Sequence, residues 1–231
     1  MPRFDQVLST CVLILGASAG GNLAAAISLK LRDVKHPLRP SLQILFVPCL
    51  QAFDFNTPSY QTNTDSGFLP RYWMVNYWLW YAHGPHGHVR SYEYIENQHT
   101  SPSAKISSLA KRVDHNLVSR KYIDASYVPN AVNFGNESLW KEIEGTFVNP
   151  YFAPLMASDL TGQPDTYMAT AGWDVLRDDG LMYAKRLADS GVEVESRHYA
   201  NGLHALYMRF DHFNLSKQVL SDLVQYLSAR L

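Results

Sequence analysis

The sequence contains few cysteines and no long hydrophobic segment, and these absences exclude several classes of protein. Only two cysteines, Cys11 and Cys49, occur among the 231 residues. Both lie in apolar, strand-like runs, where a cysteine usually acts as a small buried hydrophobic residue, so we do not expect a disulfide-dependent fold. No apolar run reaches the ~18 residues that suggest a transmembrane helix, and the N terminus lacks the layout of a signal peptide. We therefore expect the chain as it stands to be soluble.

The sequence also lacks an excess of charge of either sign. Twenty Lys and Arg residues are balanced by 21 Asp and Glu residues, which gives a formal net charge of −1. This balance does not favour a nucleic acid or an anionic membrane surface as a partner, so we expect a small neutral substrate. Hydrophobic residues make up 46% of the chain. A chain of this length and composition is typical of one globular domain with a large core and room for an insertion.

One glycine-rich segment has the pattern of a nucleophile turn. Gly16-Ala17-Ser18-Ala19-Gly20 lies between the apolar run from Cys11 to Leu15 and the helix-forming run from Leu23 to Leu31. A strand that turns sharply into a helix strains the backbone at the serine, and glycines two before and two after it remove side chains that would collide. The serine oxygen then lies near the free N–H groups of the helix, where an oxyanion would be stabilised. The segment therefore predicts a nucleophilic serine, and the alternative is an ordinary glycine-rich turn.

Nothing in the sequence predicts a cofactor or a metal ion. No Lys-Ser or Lys-Thr follows the glycine-rich turn, and no Gly-x-Gly-x-x-Gly spacing occurs, which argues against a phosphate-binding loop. His83, His86 and His88 form a cluster, but glycine and proline separate them. No nearby cysteine or carboxylate completes a set of metal ligands.

Strand-like and helix-like segments alternate along most of the chain. After the first strand and helix, Leu42 to Leu50 is a second apolar strand-like run that ends near Pro48. Near the C terminus, strand-like runs from Tyr167 to Ala171 and from Val192 to Tyr199 are followed by helix-like runs from Leu176 to Asp189 and from Leu215 to Leu227. This alternation predicts an α/β fold with a mostly parallel sheet flanked by helices.

The middle of the chain, approximately residues 54–151, interrupts this alternation with aromatic, polar and loop-rich sequence. A helix-like stretch begins at Pro70 and continues to Tyr81. We interpret these residues as a cap inserted into a single domain. Trp73, Tyr77 and Trp78 are expected to line a substrate pocket, and the alternative is that they form the core of the cap.

Two residues after later strands are candidate partners of the serine. A serine hydroxyl must pass its proton to a base, usually a histidine that a carboxylate orients. Asp174 and His204 each follow a predicted strand, at the edge of a parallel sheet where ligand sites form. The alternatives are that Asp174 caps the following helix and that His204 is a turn residue. Asp178 and Asp179 compete for the acid role, but the helix dipole alone accounts for acidic residues in a first turn.

These motifs together resemble the hormone-sensitive-lipase family of α/β-hydrolases. The turn from Gly16 to Leu23 is similar to the family's Gly-Asp-Ser-Ala-Gly-Gly-Asn-Leu, except that Ala17 replaces the aspartate. Residues 174–187 resemble the family's acid-bearing segment, and Gly202-Leu203-His204 resembles its histidine turn. Residues 51–61, which include Gln51-Ala52-Phe53-Asp54-Phe55, are similar to the arylacetamide deacetylase-like branch.

The resemblance implies a serine carboxylesterase or amidase that acts on acyl esters, arylacetamides or lipid esters through an acyl-enzyme. Ser18 would be the nucleophile, His204 the general base and then acid, and Asp174 the residue that orients the histidine. The N–H of Ala19 would be one oxyanion donor.

The resemblance also leads us to expect that the sequence is part of a longer esterase. The family's His-Gly-Gly-Gly oxyanion motif, its N-terminal strands and the anchor that places animal members at the endoplasmic reticulum membrane, facing the lumen, belong upstream of the serine. Only ten residues precede the predicted first strand. Loss of one oxyanion donor costs about 100- to 1,000-fold in rate, so the alternative is a truncated, weak or inactive hydrolase-like protein. A chain that truly starts at Met1 would be cytoplasmic, with an exposed apolar first strand.

Overall fold

A parallel β-sheet forms the centre of the computed structural model, which describes residues 12–84, 90–205, 208 and 212–230. Within these ranges four strands lie side by side in chain order, and all three of their pairings are parallel. They are β1 (Leu13–Ala17), β2 (Leu42–Phe46), β3 (Asp165–Trp173) and β4 (Val194–Leu203). Strand β2 is buried at every position, as expected for an apolar strand with neighbours on both sides. The predicted α/β class with a parallel sheet is confirmed.

Helices connect and cover the strands. Helix α1 (Ala19–Asp33) follows β1, α7 (Arg177–Asp189) joins β3 to β4, and α8 (Asn214–Ser228) follows β4. Between β2 and β3 the described residues form five further α-helices: α2 (Pro58–Thr62), α3 (Arg71–His83), α4 (Ser91–Ile95), α5 (Pro102–Lys105) and α6 (Glu137–Phe147). These five helices fall within the residues that the sequence predicts as an inserted cap.

Two hydrophobic clusters pack against the sheet. The larger cluster contains Leu45 and Met168 of the strands and continues through α1, α7 and the helices between β2 and β3. The smaller cluster contains Ile44 and Tyr167, which alternate with the first pair along β2 and β3, and packs them against α8. Since successive residues of a strand point to opposite faces, the sheet carries helices on both sides.

Strand β1 lies at one edge of the sheet. Among the described residues it pairs with β2 alone. Leu13 and Leu15 are 38% and 53% exposed, although a leucine usually lies inside a folded protein. Within the described part of the chain, β1 is therefore an apolar edge. Cys11, which the sequence places in this strand, lies outside the described residues.

No helix in the described ranges combines the length and the apolar character needed to span a membrane.

Candidate active site

Ser18 occupies a strained turn between β1 and α1. Its φ is 53° and its ψ is −121°, a conformation that costs a residue with a side chain roughly 1–3 kcal/mol. Its N–H donates to the carbonyl oxygen of Phe46 at 2.9 Å, and its carbonyl oxygen accepts from the N–H of Asn22 at 3.1 Å. These bonds to β2 and to α1 hold the serine in the strained conformation. Strain that the surrounding structure maintains in this way is characteristic of functional sites.

The glycines around Ser18 have different roles. A Cβ at Gly16 would lie 2.0 Å from the carbonyl oxygen of Gly20, so only glycine fits there. A Cβ added at Gly20, in contrast, would meet no atom of the described residues within 4 Å beyond its chain neighbours and the adjoining backbone of its own helix. The prediction that Gly20 avoids a collision is therefore wrong. Gly21 is the second tight position, because a Cβ there would lie 2.8 Å from the Cβ of Pro48.

The carboxylate of Asp174 is completely buried after β3. Its Oδ1 accepts the N–H of Leu176 at 2.9 Å, and its Oδ2 lies 2.9 Å from Nδ1 of His204. Helix α7 begins at Arg177, and its N-cap residue is Leu176. The alternative that Asp174 is the N-cap of this helix is therefore wrong. One oxygen fixes the turn, and the other faces the histidine.

His204 lies directly after β4 and connects the acid to the serine. It is 6% exposed, and its Nε2 lies 2.8 Å from Oγ of Ser18. A histidine whose Nδ1 faces a carboxylate carries its proton on that nitrogen, which leaves Nε2 free to accept the serine proton. The structure thus brings together the three residues that the sequence predicts for a triad. Chemically, the arrangement can remove the hydroxyl proton of Ser18 as its oxygen attacks an electrophile.

Asp178 and Asp179 are buried in the first turn of α7 and bind the backbone of other segments. The carboxylate of Asp179 accepts the N–H groups of Leu50 and Gln51 and the side-chain amide of Gln51, at 2.9, 3.3 and 3.0 Å. Burial raises the pKa of Asp179 to about 7, while these three donors oppose the increase. Asp178 accepts the N–H of Ser59 at 2.6 Å. The helix dipole alone does not account for these partners, and no local pattern predicts them.

An apolar cavity of about 230 Å³ begins beside the serine. Its lining comes from α1, α3 and the end of β2: Ala19, Asn22, Leu23, Cys49, Met74, Tyr77, Trp78 and Tyr81. Two of the three predicted pocket aromatics, Tyr77 and Trp78, are among these residues. Trp73 instead stacks on Tyr77 with ring centroids 6.2 Å apart. Met74 and Cys49 were not predicted, although Met74 belongs to the same aromatic helix.

Ala19 is the first residue of α1 and lies next to the nucleophile. The first N–H groups of an α-helix have no acceptor within the helix. The N–H of Ala19 is therefore available to a negative oxygen formed beside Ser18.

The described residues contain no group of three or more His, Cys, Asp or Glu side chains that could hold a metal ion. His86 and His88, two members of the histidine cluster noted in the sequence, lie outside the described residues.

The chain matches known proteins both in sequence and in fold. A family model described as alpha/beta hydrolase fold matches residues 5–111 and 100–208. The chain is 42% identical over 195 residues to neutral cholesterol ester hydrolase 1 of Bos taurus, covering 83% of this chain and 47% of that protein. It is 34% identical over 194 residues to arylacetamide deacetylase of Oryctolagus cuniculus, covering 83% and 48%. The chain thus spans about half the length of the curated relatives it matches.

Solved structures include proteins with the same fold. A fungal esterase from Rhizomucor miehei matches with a TM-score of 0.60 and 22% identity, covering 93% of this chain and 48% of the esterase. At this identity the match concerns the fold alone.

Proposed function

The chain belongs to the arylacetamide deacetylase-like branch of the hormone-sensitive-lipase family of α/β-hydrolases, and from this premise we propose that it is a serine carboxylesterase or amidase. The observation that carries the proposal is the line of contacts from Ser18 Oγ to His204 Nε2 and from His204 Nδ1 to Asp174 Oδ2, at 2.8 and 2.9 Å. This chemistry requires no cofactor.

The proposed reaction has two halves. Nε2 of His204 takes the proton of Ser18 as Oγ attacks the carbonyl carbon, and Asp174 stabilises the imidazolium that forms. The N–H of Ala19 donates to the carbonyl oxygen as it becomes negative. His204 then gives its proton to the departing alcohol or amine, which leaves an acyl group on Ser18. A water molecule, deprotonated by His204, releases the acid and restores the serine.

The substrate that fits this site is a small neutral ester or amide with an apolar acyl group. The cavity beside Ser18 exposes almost no polar surface and is rimmed by Tyr77, Trp78 and Met74. An apolar group gains about 25 cal/mol for each Å² that it buries in such a cavity, whereas a charged group loses hydration without a partner. Among the relatives, one is named for cholesterol esters and another for arylacetamides.

A fluorophosphonate probe tests the proposal, because it forms a covalent bond only with an activated serine. We expect labelling of the wild-type chain and complete loss of labelling in Ser18→Ala. Ser108→Ala is the matched control, since Ser108 is an exposed serine outside the site, and it should be labelled like the wild type. A well-folded wild-type chain that takes up no probe, or equal labelling of Ser18→Ala, would show the proposal to be wrong.

The substrate class is tested with p-nitrophenyl esters that differ only in their acyl group. We expect the butyrate to be cleaved with a higher kcat/KM than the succinate, whose free carboxylate would enter an apolar cavity. Equal or faster cleavage of the succinate would contradict the assignment of the cavity to the acyl group.

A further inference from the structure

The regular pairing of β3 ends just before Asp174. The register between β3 and β4 shifts between Ala171 and Trp173. At Gly172 the two strands approach so closely that a Cβ would lie 2.0 Å from the carbonyl oxygen of Ala200. Residues 172–178, which we call the acid turn, comprise the last two residues of β3, the turn that carries Asp174 and the first two residues of α7. Because β3 pairs with β4 only as far as Trp173, other contacts must fix the position of the Asp174 carboxylate.

Ser59, in α2, supplies one set of these contacts. Its Oγ donates to the carbonyl oxygen of Val175 at 2.6 Å, and its N–H donates to the carboxylate of Asp178 at 2.6 Å. The N–H of Asp178 lies 3.3 Å from Oγ of Ser59. Ser59 is therefore bonded to the acid turn on the C-terminal side of Asp174.

Asn63, directly after α2, supplies a second set. Its Nδ2 donates to the carbonyl oxygens of Gly172 and Asp174, at 3.2 and 3.1 Å. Ser59 is completely buried and Asn63 is 3% exposed. At such buried positions an acceptor that loses its donor is left unsatisfied, so loss of either side chain should loosen the acid turn. Together the two side chains bind the backbone on both sides of Asp174.

We propose that Ser59 and Asn63 are positioning residues for the hydrolytic reaction. They hold the acid turn so that Oδ2 of Asp174 stays on Nδ1 of His204, and they act through Asp174 rather than on the substrate. This inference rests on the proposed function. It assigns a role to α2, a segment of the predicted cap, in the geometry of the triad itself.

The test measures fluorophosphonate labelling of Ser18 in Ser59→Ala and Asn63→Ala. We expect the rate constant at saturating probe to fall about 10- to 100-fold, because a misplacement near 1 Å can cost about 100-fold. The probe concentration for half-maximal rate should change less than about twofold, since probe binding does not involve the acid turn. Ser59→Thr, which keeps the hydroxyl donor, should recover most of the rate.

Ser28→Ala is the matched control for Ser59→Ala. Ser28 is also buried, and its hydroxyl donates to the carbonyl oxygen of Ala24 at 2.9 Å within α1. The substitution removes the hydroxyl of a buried serine far from the acid turn in sequence and should keep the wild-type labelling rate. If Ser59→Ala does not fold, Asn63→Ala at the end of α2 carries the same test.

A double-mutant cycle separates positioning from general structural damage. In an Asp174→Ala background, Ser59→Ala and Asn63→Ala should cause no further loss of rate, because the group that they position is gone. Losses of equal size in both backgrounds would overturn the proposal.

An NMR measurement distinguishes a failure of the positioning role from a failure of the proposed function. The proton of His204 Nδ1 should give a downfield signal that Asp174→Ala removes and that Asn63→Ala shifts or broadens. If Ser18 is not labelled in any variant but the signal responds in this way, the proposed function fails and the positioning role stands. If Ser18 is labelled at the wild-type rate in Ser59→Ala and Asn63→Ala, with an unchanged His204 signal, the positioning role fails and the proposed function stands.

Discussion

Gly16→Ala should disrupt the nucleophile turn, although the change adds only one methyl group. The new Cβ would lie 2.0 Å from the carbonyl oxygen of Gly20, 2.4 Å from its carbonyl carbon and 2.7 Å from the nitrogen of Gly21. All three atoms belong to the backbone of the first turn of α1, so no side chain can rotate away.

The size of the effect follows from this collision. An ordinary contact begins at 3.4 Å, so the carbonyl oxygen of Gly20 and the new methyl group must separate by 3.4 − 2.0 = 1.4 Å. Overpacking of a tight site costs about 1–3 kcal/mol. A movement of this size at the start of α1 displaces Ser18 and Ala19, and a displacement near 1 Å can cost about 100-fold in rate. We expect a loss of about 2–3 kcal/mol in stability and at least about 100-fold slower labelling.

The assay compares Gly16→Ala with Gly20→Ala by urea unfolding and by the rate of fluorophosphonate labelling. Gly20→Ala is the matched control, because it adds the same methyl group where the described structure leaves space. It replaces a glycine within α1, which should stabilise the helix by about 0.5–1 kcal/mol. Its labelling rate should stay near that of the wild type.

Two results would refute this reasoning. One is a Gly16→Ala variant that is as stable as the wild type and is labelled at the same rate. The other is a Gly20→Ala variant that loses as much stability and rate as Gly16→Ala, which would mean that both glycines are needed for the same steric reason.

Three further predictions concern buried titratable groups. Burial lowers the pKa of His99 to about 4, so between about pH 6.5 and 4 the unfolded chain binds a proton that the folded chain does not, and acidification costs up to about 3 kcal/mol of stability. His99→Phe should remove this loss in urea titrations, and an unchanged pH slope would contradict it. Burial raises the pKa of Asp179 to about 7, so between about pH 4 and 7 the folded chain keeps a proton that the unfolded chain has released. Stability should then rise more steeply with pH in Asp179→Asn, and a shallower slope would contradict the shift. Burial also raises the pKa of the Cys49 thiol, so peptide mapping should detect its reaction with iodoacetamide only after unfolding, and rapid reaction of the folded chain would argue against its burial.

The succession of strands along the chain and the location of the site were predictable from local patterns. The carboxyl ends of parallel strands meet at one edge of the sheet, so residues that follow different strands, such as Ser18, Asp174 and His204, are brought close together. The first and last residues of individual strands and helices were less predictable. Strand β4 continues to Leu203, beyond the expected end at Tyr199, because pairing with β3 extends across residues of low strand propensity.

Other features could not be predicted because they depend on contacts between distant segments. The error at Gly20 arose because the motif looks symmetrical around the serine, whereas the tight contact after it is made by Gly21 against Pro48. The bond from Ser59 to the acid turn joins residues 116 positions apart. A sequence motif identifies the residues that react. It does not identify a residue such as Ser59, which lies in another segment and holds Asp174 in place.

The segment from Phe46, the last residue of β2, to Leu50 explains how the site remains ordered around a strained serine. At its start, the carbonyl oxygen of Phe46 accepts the N–H of Ser18, and four residues later the N–H of Leu50 donates to Asp179 in α7. Because β2 lies between β1 and β3 in the sheet, this short segment contacts both the turn that carries Ser18 and helix α7. Its bonds are formed before any substrate arrives, so the reaction does not have to supply the free energy of arranging these groups. The strain at Ser18, which costs stability, is therefore maintained by the same backbone that fixes the acid side of the triad.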